Sequence, residues 1–568
     1  MKKMFFGTTI AVCVLLSGIS LYGFGKKTIF GIRSQGLNEV RELCGWQKCM
    51  FKCDQNRNFG TAAATIQYDR SFRPEQIAKF LFGGQNMRFS GSMANRQQGD
   101  ILADYFGLPP SFSSKIHVSP RISDVVVDLN LFQAFDAKLP GFFIMFHIPI
   151  VHTKWNLNMI ESAIKPGTAF YPAGYMSDTR INAADLPQSV TQALQGRVAF
   201  GDMQDPLQFG KIDGRQESNR VAEVQGTIGY NYNAPWYHAG VSFRFGAPTG
   251  TITNAEFLFE DIVGNRHHWD VGFGLSGHVN MWENKQKGKC FAAYLDAHVS
   301  HLCSSKQKRS FDFTKNGPGS RYILLEIIDS PSQDLKINGQ IPENQYIRKL
   351  LPAINQTTFS TKLSIGVQTD IVVKFAYQQD NFELDLGYNF WATSKEKMHW
   401  RTKLVDNRFA LKGDAQLYGF SADDDTVIIP LNATQSNATI LSGQGNGNSN
   451  FQNLNADNQP AAATLLDGTI LNQLNTADSM DLDIAQVQVQ GSNSAILLQD
   501  SDINNDSGIL PRALSNKGFI FFNYIWNNRD DWDPYAGFGI SAEVANTSTE
   551  HNSASSAWAV WLKVGLAY

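Results

Sequence analysis

The chain has 568 residues and a formal net charge of −3, and its composition excludes several classes of protein. Lysine and arginine are scattered and create no basic field, so we expect no nucleic-acid partner. Charged residues make up 18% of the chain, below the roughly 25% of soluble domains. With 47 glycines and 12% aromatic residues, the sequence favours a β-rich protein, either several soluble domains or one large closed sheet.

Residues 1–25 have the build of a secretory signal peptide. Lys2 and Lys3 provide a positive start, Ile10–Leu16 is an apolar run, and small residues follow it. The run is far shorter than the roughly 20 residues that a membrane-spanning helix needs. We therefore expect export with removal of this segment.

Residues 26–58 lie outside the pattern of the rest of the chain, with a short helical periodicity around Leu37 to Leu43. Five cysteines remain after the signal peptide: Cys44, Cys49, Cys53, Cys290 and Cys303. The first three have no C-x2-C spacing and no nearby histidine, so a local disulfide is a more ordinary interpretation than a zinc site. An odd count leaves at least one thiol without a disulfide, and the sequence does not say which.

Segments that alternate apolar and polar residues recur through the body of the chain. The clearest pair is 363–377 and 382–390, joined by a turn at 378–381. Because successive side chains of a strand point to opposite faces, each segment has one apolar face and one polar face. The same alternation marks 224–232, 237–245, 269–281 and 291–299.

This pattern predicts an all-β fold, a closed antiparallel β-barrel of about 16 strands (14–18). The count assumes a first strand near 86–94 and weaker wall strands at 309–314, 321–329 and 398–405. One end of the barrel then carries the turns at 137–140, 233–235, 282–288, 378–381, 406–407 and 527–533. The other end carries long connections near 151–219, 247–266, 330–361 and 421–515.

The longest connection, at about 421–515, is rich in Asn, Gln, Ser and Ala and poor in aromatic residues. Such a composition is typical of a long loop outside the barrel wall, either disordered or folded into the lumen as a constriction.

The last strand ends on an aromatic residue. Trp558, Val560, Leu562, Val564, Leu566 and Tyr568 form one apolar face. This resembles the last strand of Gram-negative outer-membrane β-barrels, whose assembly machinery recognises such a strand. The resemblance implies location in the outer membrane, contact with its lipid, and recognition by the barrel-assembly machinery through the strand ending at Tyr568. Porin-like barrels of this class are commonly trimers, so the resemblance leaves a homo-oligomer as an alternative to a monomer.

The resemblance also implies how the chain is divided into domains. Residues 59–568 would form a transmembrane barrel with a long external loop at about 421–515. Residues 26–58 would form either a periplasmic segment or a plug in the lumen. Tryptophans at strand ends would form interfacial girdles: Trp155, Trp236, Trp269, Trp282, Trp391, Trp526 and Trp532.

The polar strand faces suggest which class of solute would pass through the barrel. Candidate pore-lining residues of both signs are Arg244, Asp270, His298, Asp370, Lys374, Glu383 and Asp385. A mixed lining suits small hydrophilic solutes. The first hypothesis is therefore a porin for passive diffusion. The alternatives are a substrate-specific transporter in which residues 26–58 act as a plug, and a surface adhesin or structural barrel that acts through 421–515. Two further alternatives are a barrel hydrolase that would need His268 or His298, and a secreted soluble β-protein.

Catalytic motifs are weak. His268 and Asp270 are neighbours on one strand face, but no nucleophile is evident beside them. Asp502, Asn504 and Asp506 resemble the start of a calcium loop whose glycine comes one place late and whose glutamate is missing. We expect no enzymatic activity, no cofactor and no metal.

Overall fold

The computed structural model describes residues 25–45, 57–329, 345–413, 415, 417–420, 428–430, 434–443, 495–526, 532–545 and 552–568. The strands of the first half are β1 (Phe59–Ser71), β2 (Asn86–Ser90), β3 (Ile101–Leu102), β4 (Ser113–His117), β5 (Arg121–Ala134), β6 (Phe142–Asn156), β7 (Ile160–Lys165), β8 (Arg215–Val221), β9 (Glu223–Ala234), β10 (Tyr237–Pro248), β11 (Asp270–Asn284) and β12 (Lys289–Ser310). Those of the second half are β13 (Asp312–Phe313), β14 (Leu324–Asp329), β15 (Gln345–Pro352), β16 (Thr358–Gln379), β17 (Phe382–Thr393), β18 (Glu396–Arg401), β19 (Phe409–Leu411), β20 (Tyr418–Phe420), β21 (Ile428–Pro430), β22 (Ile503–Asn504), β23 (Ala513–Ile525), β24 (Asp533–Val544) and β25 (Ala557–Ala567). The α-helices are short: α1 (Glu39–Leu43), α2 (Pro74–Phe82), α3 (Val190–Leu194) and α4 (Ile354–Thr357).

Twelve strands form a closed antiparallel ring. Its order is β1, β5, β6, β9, β10, β11, β12, β16, β17, β23, β24 and β25, and β25 pairs again with β1. Strands β8 and β18 pair with β6 and β16 outside the ring. Each ring strand pairs with the next ring strand along the chain, so the closed antiparallel barrel predicted from the sequence is confirmed.

The predicted count of about 16 strands is wrong. The first ring strand is β1, whereas the segment near 86–94 contributes β2, which pairs with β3 and β4 away from the ring. The segment 321–329 contributes β14, which is buried on both faces and pairs with β15 and β19. The segment 309–314 covers the end of β12 and β13, and the segment 398–405 begins in β18. Neither segment adds a strand to the ring.

The two faces of the wall differ in polarity as the alternation predicts. Along β17, Phe382 and Leu386 are 62% and 56% exposed, whereas Glu383 and Asp385 are buried. The outer faces of the other ring strands are likewise apolar, for example at Phe273 in β11. The barrel therefore has an apolar exterior and a polar interior, the reverse of a water-soluble domain.

Short connections lie at one end of the barrel. They span 135–141, 235–236, 285–288, 380–381 and 526–532. In the first, Gly141 has a φ of +84°, and a Cβ there would lie 2.3 Å from the carbonyl oxygen of Asn231. The short turns predicted at 137–140, 233–235, 282–288 and 378–381 are confirmed. The prediction at 406–407 is wrong, because Asn407 donates its N–H to Leu498 O among the long connections of the opposite end. Most of the turn predicted at 527–533 lies outside the described residues.

The long connections fold over the opposite end as a cap, which comprises the described residues of 72–120, 157–214, 249–269, 311–357, 394–443 and 495–512. Aromatic and aliphatic side chains from all of these connections share one hydrophobic core. Strands β12 and β16, each of 22 residues, rise from the ring into the cap. Of the predicted long loop, Ile440 and Leu498 belong to this core, while 421–427, 431–433 and 444–494 lie outside the described residues.

Five of the seven predicted girdle tryptophans are exposed on the barrel: Trp236, Trp269, Trp282, Trp526 and Trp532. The interpretation is wrong for Trp155, which is buried in the cap core, and for Trp391, which is buried against Leu37 inside the barrel. Their positions near strand ends did not reveal the face on which they lie.

Residues 25–45, here called the lumen segment, run through the barrel interior. Phe30 packs in the cap core against Trp155 and Phe259. Further along, Leu43 and Cys44 pack against inward side chains of β16, β23 and β25. The segment thus passes from the cap end toward the short-turn end, where β1 begins. No helix of the described residues is long and apolar enough to cross a membrane.

Candidate functional site

The candidate site is the barrel lumen together with the lumen segment that occupies it. Asn38 caps α1, its side-chain oxygen accepting from the N–H of Arg41 at 3.4 Å. The helix ends at Leu43, and the backbone of the next residue, Cys44, is extended. This single turn presents charged side chains in several directions inside a ring whose inner face is also charged.

Arg33 connects the upper part of the lumen segment to the wall. Its guanidinium forms an ion pair with Asp370 of β16, donates to the Asn389 side chain at 2.8 Å and lies 3.7 Å from Glu543 of β24. It also donates to the carbonyl oxygen of Leu37 at 2.7 Å, which stabilises the turn before α1. One side chain therefore joins three wall strands to the segment.

Arg41 forms a second buried connection. Its guanidinium pairs with Asp128 of β5 and donates to Gln67 of β1 at 3.2 Å. On the other side of Asp128, His147 Nε2 lies 2.5 Å from the carboxylate, and His147 Nδ1 lies 3.2 Å from Glu42 of α1. Removing one member of such a buried ionic group leaves the others unpaired, which typically costs about 3–5 kcal/mol.

Arg244 of β10 reaches the opposite side of α1. It forms an ion pair with Glu39, lies 3.3 Å from Glu42 and donates to Gln225 of β9. The helix is thus held between a wall carboxylate on one side and a wall guanidinium on the other. Each acidic or basic side chain of α1 has a partner of opposite charge on the wall.

Two wall lysines contact the carbonyl groups at the end of α1. Lys563 of β25 donates to the carbonyl oxygens of Arg41, Glu42 and Cys44 at 2.9, 3.1 and 2.7 Å. Lys374 of β16 donates to Leu43 O at 3.5 Å and pairs with Asp385 at 2.8 Å. Carbonyls that the short helix leaves without a helical partner are therefore satisfied by the wall.

All seven predicted pore-lining residues are buried on the inner face of the ring: Arg244, Asp270, His298, Asp370, Lys374, Glu383 and Asp385. The structure brings Arg244, Asp370 and Lys374 into direct contact with the lumen segment. Asp385 pairs with Lys374, and Glu383 accepts from Asn523 at 3.3 Å. Whether these side chains line a conducting path remains a prediction.

Sequence reasoning placed Lys563 on the polar strand face but missed the other residues of the lumen network: Arg33, Glu39, Arg41, Glu42, Asp128 and His147. The signal available was the charged helical pattern near Leu37 to Leu43. Its wall partners lie from 26 to more than 500 positions away along the chain, so no local pattern could have paired them.

Space remains on both sides of the lumen segment. Toward the cap end, a small, partly open cavity is lined by Asp69, Asp124, Lys517 and other side chains. Toward the other end, a second small cavity is lined by Glu42, Arg244, Asp296 and their neighbours. The segment thus occupies the lumen with polar cavities beside it.

The proposed His268–Asp270 pair does not form a catalytic arrangement. His268 Nδ1 lies 2.6 Å from Cys303 O and its Nε2 lies 3.0 Å from Gln307. Cys44, Cys290 and Cys303 form no disulfide within the described part of the chain. Cys49 and Cys53 lie outside the described residues, so the expected local disulfide concerns them alone.

Comparison with known proteins gives distant likenesses only. No family model and no curated protein matches the chain. Among solved structures, an outer membrane channel from Pseudomonas putida F1 has a TM-score of 0.33 at 7% identity, covering 91% of this chain and 99% of that one. The translocator domain of the autotransporter NalP from Neisseria meningitidis has a TM-score of 0.28 at 6% identity, covering 93% and 94%. A Pseudomonas aeruginosa FadL homologue has a TM-score of 0.23 at 6% identity, covering 90% of each chain.

Proposed function

We propose that the chain is an outer-membrane transport barrel for small hydrophilic solutes, kept closed by its own lumen segment. The exposed apolar side chains around the ring support a lipid environment, since an exposed apolar surface of this size is unfavourable in water. The short-turn end, which also carries the C-terminus, would face the periplasm, and the cap would face outward.

The single observation that carries the proposal is the ionic docking of the lumen segment. Arg33, Arg41 and Glu39 each pair with a wall side chain of opposite charge inside the ring. A permanently open porin needs no such segment across its lumen. We therefore favour the transporter with an N-terminal plug over the general porin that the mixed charges of the polar strand faces suggested first.

The polar cavities beside the segment support the choice of solute. Carboxylates and amides line both of them, together with Lys517 in one and Arg244 in the other, and such groups offer hydrogen bonds to sugars, amino acids or small ions. Displacement of the segment would open an aqueous path between polar strand faces.

Liposome swelling tests the proposal. Refolded full-length protein and a variant lacking residues 31–45 are reconstituted at equal density and exposed to neutral sugars of graded size. We expect slow swelling with the full-length protein and fast, size-limited swelling with the deletion variant. Equally slow swelling of both, with the barrel shown to be folded by its heat-modifiable migration, would contradict the proposal.

A further inference from the structure

Three potential metal ligands meet where the lumen segment faces β12. Glu39 lies on α1, and Asp296 and His298 lie on β12. One ligand atom from each, a carboxylate oxygen or a ring nitrogen, lies within 4.8 Å of the other two. Asp296 and His298 are two positions apart on a strand and therefore share its inward face.

The imidazole of His298 gives an independent indication of a ligand. His298 is only 6% exposed, and its Nε2 atom has no hydrogen-bond partner within the described ranges. A buried polar atom without a partner costs free energy, so it needs an explanation. A bound cation would supply the missing partner.

The local charge favours a cation. The cavity next to the three ligands is lined by the carboxylates of Glu39, Glu42 and Asp296, against the single guanidinium of Arg244. Arg244 contacts Glu39 through Oε1, and this contact orients the carboxylate. Metal ligands are commonly held in place by such outer contacts.

We propose that Glu39, Asp296 and His298 bind a divalent transition-metal ion, of which Zn²⁺ is the best match. Zinc accepts imidazole and carboxylate ligands together and is often held by three protein ligands and a water, whereas Ca²⁺ and Mg²⁺ are bound mainly through oxygen. Because Glu39 lies on the lumen segment and the other two on the wall, the ion joins the segment to the barrel. The role of the ion in holding the segment to the wall rests on the proposed function, whereas binding of the ion does not.

The test uses the refolded full-length chain, stripped with a chelator, and measures ZnCl₂ binding by equilibrium dialysis with elemental analysis. We expect one tight zinc equivalent, with the affinity falling at least tenfold in Glu39→Gln, Asp296→Asn and His298→Gln. His278→Gln is the matched control, because His278 is also an inward histidine, on neighbouring β11, facing His238. It should keep the tight zinc equivalent.

Three results would overturn the site: absence of tight zinc in the wild-type chain, loss of zinc in His278→Gln with retention in His298→Gln, or preference for CaCl₂ over ZnCl₂. Using three separate ligand variants protects the test against one that fails to fold. Zinc binding without faster swelling after segment deletion would refute the transport proposal alone. Faster swelling without zinc binding would refute the metal site alone.

Discussion

Lys563 in the last strand donates a hydrogen bond to the carbonyl oxygen of Cys44, 2.7 Å away in space and 519 positions away in sequence. Both residues are buried, and Lys563 also reaches the carbonyls of Arg41 and Glu42. The strand that closes the barrel thus holds the end of the lumen segment. The same strand therefore closes the ring and holds the segment in its lumen.

Lys563→Met should loosen the lower end of the lumen segment. The substitution keeps the length of the side chain but removes the donor that satisfies three carbonyls, and leaving such groups buried costs about 1–3 kcal/mol. Cys44, which is fully buried, serves as the reporter in a background where the other cysteines are serine. We expect maleimide labelling of Cys44 to accelerate at least fivefold.

Lys306→Met is the control for that experiment, since Lys306 is exposed on the cap portion of β12. It should label as slowly as the parent. Equal labelling rates in Lys563→Met and the parent would show that Lys563 does not hold the segment.

Arg41→Met should destabilise the folded barrel because it leaves the buried Asp128 carboxylate without its guanidinium partner. We expect the free energy of unfolding in urea to fall by about 3–5 kcal/mol. Adding Asp128→Asn should recover part of this loss, since the carboxylate that lost its partner is gone. Strictly additive effects of the two substitutions would contradict a direct interaction between them.

The apolar exterior can be tested by a pair of substitutions matched for exposure. Leu275 on β11 and Ile160 on the cap strand β7 are 60% and 61% exposed. If the ring lies in lipid, Leu275→Arg should lower stability in bilayers by about 2–4 kcal/mol, whereas Ile160→Arg should have little effect. Similar small effects at both positions would argue against a membrane around the ring.

Acid should weaken the cap through Glu396. Burial raises the pKa of this carboxyl, but the guanidinium groups of Arg309 and Arg266 lower it more, so that the pKa lies below its ordinary value of 4.5. Its stabilising contribution is therefore present above pH 4.5 and is lost as the pH falls through the lowered pKa. Pepsin cleavage of the cap should accelerate over that range.

Glu396→Gln should remove most of this pH dependence by making cleavage fast at the higher pH as well. Glu217→Gln, at a largely exposed ion pair with Arg215, should leave the profile unchanged. A profile that Glu396→Gln does not alter would refute the assignment.

Much of the wall could be predicted from the sequence because each ring strand has one face toward the apolar exterior and the other toward the polar interior. Its side chains therefore alternate between apolar and polar. The alternation in 363–377 and 382–390 identified β16 and β17 and the face that each presents. β1 was missed because Thr61 to Ala64 are small residues with little contrast between faces. β14 was counted as a weak wall strand partly to keep short and long connections alternating between the two ends. Its sequence, LLEIID, is apolar on both faces, which reflects burial in the cap.

The site was less predictable, and the reason is distance along the chain. Arg244, Asp370 and Lys374 were identified because each belongs to the polar face of a recognisable strand. Their partners Arg33 and Glu39 lie in a segment with only a short helical pattern, and the sequence left open whether that segment was a plug or a periplasmic tail. Only closure of the ring brings the two sets together.

Single-channel recording in planar bilayers tests the central claim most directly. The full-length chain and the variant lacking residues 31–45 are compared at the same salt concentration and voltage. We predict small or rare current steps from the full-length chain and steady, ohmic steps several times larger from the deletion variant. Large, steady conductance from the full-length chain, unchanged by the deletion, would contradict the account that the lumen segment closes this barrel.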